Sequence, residues 1–239
     1  QAARSQCLDM RTLKWSEEIS GAIGVNLERI LPQPQAPTAV IGRVSAQAAA
    51  ETGLAAGIPV VAGASDAMAS MYATGLSRLG EAGESSGTTS LVFVGHDRQS
   101  PTDLPVVTKP CTIKGMPWIF DAPINTSGAS VKWYLDRFGQ QEKAEAMEKN
   151  MDVYTYINAL AQQVKAGSNG VMFFPYLLGE RAPLWNSYAR GMIIGMSLET
   201  QRADLIRSIF EGTAFALRHV MSTIKEAGGE ARCLRITGG

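Results

Sequence analysis

Glu84-Ser85-Ser86-Gly87-Thr88-Thr89-Ser90 reads as a β-hairpin whose bend is built from glycine and hydroxyl residues. Small hydroxyl hairpins of this kind can wrap phosphate with backbone N–H donors and side-chain oxygens. Upstream, the apolar run Ile58 to Gly63 ends at Ala64-Ser65-Asp66, which places one carboxylate between a strand and a helix rich in alanine and methionine. A carboxylate buried at a strand end is costly unless it is paired or used. A single carboxylate beside a phosphate cradle points to phosphoryl transfer onto an alcohol, a reaction in which a weak but well-placed base suffices.

Composition bounds the alternatives. The chain has 239 residues, of which 45% are hydrophobic, enough for one large or two modest domains with a core that needs no disulfides. Basic and acidic residues balance at 22 each, with no Lys/Arg block, which argues against a nucleic-acid or membrane-surface partner. Three cysteines, far apart and without a CxxC, and only two histidines argue against structural zinc and for reduced, buried thiols in a cytoplasmic protein. No apolar stretch reaches membrane-spanning length. The start, Gln1-Ala2-Ala3-Arg4-Ser5, has neither Met nor a signal core and reads as a chain entered part-way.

The pattern along the chain alternates between helix and strand. Trp15 to Ile23 is expected to be a helix, Ala39 to Val44 a strand, Ser45 a cap for a helix ending at Gly53, and Ile58 to Gly63 a compact buried strand. Strands are expected over Leu91–Val94, Val106–Ile113, Met116–Phe120, Gly170–Phe174 and Met192–Gly195. A helix follows Thr126 or Ser127 and stops at Gly139, and a more polar helical stretch spans Gln141 to Val164. The clearest helix runs from Gln201 to about Glu226, with apolar residues recurring from Ile206 to Ile224, Thr200 as cap and Gly228-Gly229 as stop. A last strand, Cys233 to Ile236, leads to Gly238-Gly239.

Each chemical motif has an ordinary counterpart. Asp66 suits an N-cap as well as a general base. Ser85 to Thr89 suit a plain turn, and no Walker loop or GxGxxG occurs. Thr126-Ser127-Gly128-Ala129-Ser130 opens a helix with small residues, either for close packing or to present a positive helix end to phosphate. Glu180-Arg181, in a loop with Pro183, Trp185, Asn186 and Tyr188, suits a rigid surface loop with a local ion pair. Arg207 and Glu211 suit an i,i+4 salt bridge.

In this order the pieces resemble the FGGY carbohydrate kinases along almost the whole chain. Gly191, Ile193, Gly195-Met196, Asp204-Leu205, Ser208-Ile209-Phe210 and Glu211 fit that family's C-terminal signature. Tyr176 to Trp185 and Tyr188-Ala189-Arg190-Gly191 look most like its xylulokinase branch. The resemblance implies an α/β fold: ribonuclease-H-like domains of the actin/Hsp70-like ATPase superfamily, each a mixed sheet with flanking helices, with the active site between two of them. Residues 1–67 would be the tail of the sugar-binding domain and 68–239 a truncated ATP-binding domain. The implied activity is transfer of the γ-phosphoryl group of ATP, with Mg2+, to a sugar hydroxyl, the sugar being a ketopentose such as xylulose. Gluconate, ribulose and glycerol are alternative acceptors, and a non-catalytic actin/Hsp70-like nucleotide-binding module is a further alternative.

By the same resemblance Asp66 matches the catalytic base, with an indirect contact to Mg2+. Gly87, Thr88 and Thr89 match the phosphate hairpin, Gly128 and Lys132 fall at nucleotide contacts, and Gly238 and Gly239 begin the adenosine loop. A homodimer is the family habit. Ser187 stands where many relatives have Pro, and Ser65 where Gly is frequent. The family's Asp-x-Gly-Thr hairpin does not occur in this chain, so the 239 residues alone are expected to be inactive.

Overall fold

The computed structural model describes residues 2–100, 103–113 and 115–238. The early part of the chain forms small units. β1 (Leu8–Asp9) and β2 (Lys14–Trp15) pair antiparallel and precede α1 (Glu17–Ile23) and α2 (Leu27–Ile30). β3 (Val40–Arg43) and β4 (Pro59–Val61) pair antiparallel around α3 (Ala46–Thr52). Local chemistry sets the helix ends. Ser16, Asn26 and Ser45 accept the Ile19, Arg29 and Ala48 amides, and left-handed Gly24 and Gly53 close α1 and α3. The expected burial of the 58–63 strand is corrected, since Val60 and Val61 are 42% and 49% exposed. Among the described residues β4 pairs with β3 alone, and a two-stranded ribbon covers neither of its own faces.

The main body follows. In chain order it comprises α4 (Asp66–Ala73), β5 (Gly80–Ser86), β6 (Ser90–His96), β7 (Val107–Ile113) and β8 (Met116–Ile124). Next come α5 (Gly128–Arg137), α6 (Gln140–Glu148), α7 (Val153–Gln162), β9 (Met172–Phe174) and β10 (Met192–Ile194). α8 (Arg202–Glu226) and β11 (Ala231–Gly238) complete it. The five-stranded sheet has the order β11-β5-β6-β8-β7, with β11 parallel to β5 and the other pairs antiparallel. This is the mixed sheet with flanking helices that the sequence implies.

Alternation along the strands divides the core between the two faces. Phe93, Met116 and Ile119 pack with Ala67, Met71 and Leu76 of the α4 segment. Val92, Val94, Phe120, Ala122 and Ile124 pack with Val220, Ile224 and Ala227 at the far end of α8. Val92, Phe93 and Val94 are fully buried, and each such side chain contributes about 1.5–3 kcal/mol. The near end of α8 carries Ile206 and Ile209 into a third cluster with Tyr134, Leu135, Ile157 and Phe173. One helix therefore joins the sheet to the α5–α7 layer.

Three further expectations are corrected. Thr200 does not cap α8. Its hydroxyl accepts the Ser197 amide, and Asp204 instead reaches back to the Gln201 amide at 2.8 Å. The polar stretch 141–164 breaks in two, because Asp152 caps a fresh helix through the Thr155 amide. The expected burial of the thiols fails, since Cys233 lies exposed on β11, and Cys7 and Cys111 are only half-buried.

Candidate active site

The Gly87-Thr88-Thr89 bend is an exposed hairpin tip closed by the Ser86–Ser90 pair, with the Gly87 amide donating to the Thr89 carbonyl at 3.0 Å. The tip does not stand alone. The Gly128 amide donates to the Gly87 carbonyl at 2.9 Å, and the Ser127 and Ala129 amides donate to the Thr88 carbonyl at 3.2 and 3.1 Å. A helix leaves its first N–H groups without internal partners. Here the hairpin supplies them, so Ser127 makes no side-chain cap bond. The expectation that the α5 N-terminus presents amides to a phosphate is corrected, because the hairpin carbonyls occupy them. The contact requires glycine: a Cβ on Gly128 would lie 2.6 Å from the Gly87 oxygen.

Gly238 completes the cluster from the other side. It pairs with Ser86 across β11 and β5, at φ +103, and a Cβ there would lie 1.8 Å from the Ser86 oxygen. Gly87, Thr88, Thr89, Gly128 and Gly238 thus meet at one end of the sheet. Gly239 lies outside the described residues.

Asp66 opens α4 and is exposed. Its expected burial is corrected, and so is its reading as a cap. Ser65 caps the helix by accepting the Met68 amide, while Asp66 Oδ1 accepts the adjacent Ala67 amide at 2.8 Å. Close approaches give the direction of α4. The Arg78 carbonyl lies over Gly95, and the Thr74 hydroxyl lies over Gly83, the partner of Phe93. The chain therefore climbs toward the tip as it is followed back into α4, and Met71, Met68 and Ala67 pack with Phe93 and Leu91. From Arg78 to Thr74 this path runs toward the hairpin end of the sheet.

Lys132 lies one turn beyond Gly128. Its ammonium pairs with Asp136 at 2.7 Å on an exposed face, which raises the lysine pKa and helps lower that of the aspartate. Among the described residues, no group of three or more His, Cys, Asp or Glu side chains is arranged to hold a metal. An exposed single carboxylate such as Asp66 fits Mg2+ held mainly by water and phosphate oxygens.

The family model for the C-terminal domain of the FGGY family of carbohydrate kinases matches residues 84–239, and the one for the N-terminal domain matches residues 1–73. The chain belongs to the FGGY family of carbohydrate kinases. It is 29% identical to a gluconokinase of Bacillus subtilis (strain 168) over 242 residues, which cover 100% of this chain and 46% of that protein. It is 28% identical to a glycerol kinase of Chloroflexus aurantiacus, covering 100% of this chain and 45% of the relative. Among solved structures, a xylulose kinase from Rhodospirillum rubrum superposes with a TM-score of 0.83 at 26% identity, covering 98% of this chain and 45% of that one. The fold is accordingly the actin/Hsp70-like, ribonuclease-H-like one. The chain spans about half the length of the curated relatives it matches.

The FGGY signature residues have a structural role in this geometry. Gly167, Ser168, Asn169 and Gly170 form a run of positive φ, a conformation that costs most residues about 1–2 kcal/mol each. Glu211 holds this turn through the Gly167 amide at 3.1 Å and the Ser168 hydroxyl at 2.8 Å, and Asp204 holds Asn169 at 2.8 Å. The expected Arg207–Glu211 pair is present at 2.7 Å. Gly195 and Gly212 lie against the Gly170 and Phe173 carbonyls, where a Cβ would come within 2.0 and 2.1 Å. Asp204, Glu211 and Gly195 therefore build the turn that leads into β9, not the hairpin tip.

Two acidic residues near the tip escape sequence reading. Glu84 is buried and accepts from Ser90 Oγ at 2.7 Å inside the hairpin stem. Glu180 is buried, not a partner in a local ion pair, and Arg181 turns to Asn125 instead. Burial pushes the Glu180 pKa up, against the Asn125 and Arg181 amides, which pull it down. A buried Glu beside an Arg in a glycine- and proline-rich loop carries no periodicity that would reveal it.

Proposed function

We propose that this chain is the hairpin-bearing portion of an ATP-dependent sugar kinase. In this reading residues 1–67 end the sugar-binding domain and 68–239 belong to the ATP-binding domain. The Thr88 and Thr89 amides and hydroxyls, exposed at the tip, bind phosphate oxygens. Gly128 and Gly238 let α5 and β11 close against the backbone of the hairpin and so hold its tip, and Lys132 adds a cation one helical turn away. Asp66 accepts the proton of the attacking sugar hydroxyl. Mg2+ would neutralise charge on the phosphates, with Asp66 contributing through water. Catalysis of this kind is positioning and electrostatics, so a rigid tip and a single base suffice.

The observation that carries this reading is the meeting of Gly87, Thr88, Gly128 and Gly238 at one end of the sheet, toward which the chain runs from Arg78 to Thr74. Xylulose kinases among the structural neighbours support a ketopentose such as xylulose as acceptor. The 29% identity to a gluconokinase favours gluconate as the second reading. A cytoplasmic location suits such substrates. The 239 residues alone are expected to support little turnover, for want of an Asp-x-Gly-Thr hairpin.

The test is a phosphorylation assay on the intact enzyme with a panel of xylulose, ribulose, gluconate and glycerol. Asp66→Asn should lower kcat by about 100-fold or more and leave MgADP affinity unchanged. Undiminished turnover in that variant removes Asp66 from the mechanism, and absence of any sugar-dependent turnover in the wild type removes the kinase reading.

A further inference from the structure

Glu180 is 3% exposed. A carboxylate is costly to bury unless its bonds repay desolvation. Here they do so on one side only. Oε1 accepts the Asn125 amide at 2.8 Å and the Arg181 amide at 2.7 Å, whereas Oε2 is buried without a partner among the described residues. The group is therefore kept at a cost for what Oε1 does, and what Oε1 does is tie the 175–190 loop to the end of β8.

That junction is held from two sides. On the loop side, the Ala182 amide donates to Pro123 at 3.1 Å, Asn125 Nδ2 donates to Gly179 at 3.2 Å, Arg181 donates to the Asn125 side chain, and the Thr126 hydroxyl donates to Pro175. On the other side, the next three residues, Ser127, Gly128 and Ala129, hold the hairpin carbonyls. The loop gives Glu180 a firm footing, since Glu180 and Asn186 exchange backbone bonds at 2.9 and 2.8 Å. A bond from an amide to a charged acceptor is shorter and stronger than one to a neutral acceptor.

We propose that Glu180 is a positioning residue for the hairpin tip: by holding the Asn125 amide it fixes the start of α5, whose amides in turn fix the Gly87 and Thr88 carbonyls. The functional weight of this role rests on the reading of the tip as a phosphate site. The positional claim does not.

The experiment is hydrogen exchange by mass spectrometry on the intact enzyme and its Glu180→Ala, Glu180→Gln and Glu180→Asp variants, with MgADP titration of each. Glu180→Ala should speed exchange at least tenfold in the peptide covering 125–129, whose amides donate to Glu180 and to the tip carbonyls, while the middle of β6 and β8 keeps its protection. Glu180→Gln retains an acceptor at Oε1 and should restore most of that protection. Glu180→Asp, a methylene too short to reach Asn125, should loosen the same peptide, and it decides the matter if the alanine variant does not fold. MgADP affinity should fall at least tenfold in Glu180→Ala and recover in Glu180→Gln. Wild-type exchange at 125–129 in both the Ala and Asp variants, or in Asp alone where Ala is unfolded, overturns the proposal. A wild-type protein that shows the exchange pattern but binds no MgADP leaves Glu180 as a positioner and refutes the phosphate reading of the tip.

Discussion

Replacing Gly128 with alanine tests the contact on which the candidate site is built. The added Cβ would lie 2.6 Å from the Gly87 oxygen and 3.3 Å from its carbon, both of them backbone atoms. Ordinary contact begins at 3.4 Å, so α5 and the tip must separate by about 0.8 Å. The bonds at 2.9, 3.1 and 3.2 Å then stretch beyond useful length. Losing two or three of them costs about 1–4 kcal/mol. Alanine returns up to about 1 kcal/mol through helix propensity. The net loss is about 2 kcal/mol, or a melting temperature lower by about 4–8 °C. The control is Gly21→Ala in α1, where no atom lies within 4 Å of the new methyl, and where alanine should stabilise by about 0.5 kcal/mol. Thermal and urea unfolding of the two variants beside wild type gives the comparison. A Gly128→Ala protein as stable as wild type, or shifted in the same direction as Gly21→Ala, refutes the argument.

Glu81 accepts from Arg235 and from the Ser77 and Arg78 amides, which hold its pKa at about 2 against an ordinary 4.5. A depressed carboxylate stabilises the fold above its unfolded pKa and loses that effect as pH falls through the folded one. Glu81→Gln should therefore shrink the drop in melting temperature between pH 4.5 and pH 2, and an identical acid limb would disprove the assignment. Glu211→Ala strips the left-handed 167–170 turn of its main acceptor and should cost about 2–4 kcal/mol in urea unfolding, with a loss below about 0.5 kcal/mol counting against the clamp. Arg202→Met leaves Glu142, which is fully buried, without the guanidinium that it meets at 3.0 Å. It should cost about 2–3 kcal/mol, and Glu142→Gln in the same background should recover part of that loss; no recovery would mean that the charge is not the cause.

What was legible in the sequence followed from local rules. Gly87-Thr88-Thr89 reads as a bend because glycine and short hydroxyl residues favour turns, and α8 reads as a helix because Ile206, Ile209, Val220 and Ile224 share its buried stripe. Asp66 reads as opening a helix, and it does, but its neighbour Ser65 takes the cap, a choice between adjacent residues that composition does not decide. The partners of the α5 amides were hidden because they come from a hairpin far away in the chain. Likewise, Glu180 reads as a solvated loop residue until Asn125 is brought against it. The β3–β4 ribbon was misjudged for a simpler reason: apolar composition reports affinity for a core, not the presence of a layer to cover it.

The pairing of Ser86 with Gly238 bears on how the protein is made. Two neighbours in the sheet are separated by some 150 residues of chain, so during synthesis at about 5–20 residues per second the outer flank of β5 waits on the order of ten seconds for β11 to emerge. Throughout that interval a row of unpaired amides and carbonyls borders the bend, open to strands from other nascent chains. Ribosomes stalled before Ala231 should accordingly carry a protein that captures β-strands or recruits chaperones at Gly80–Ser86, a hazard that ends when the final strand docks.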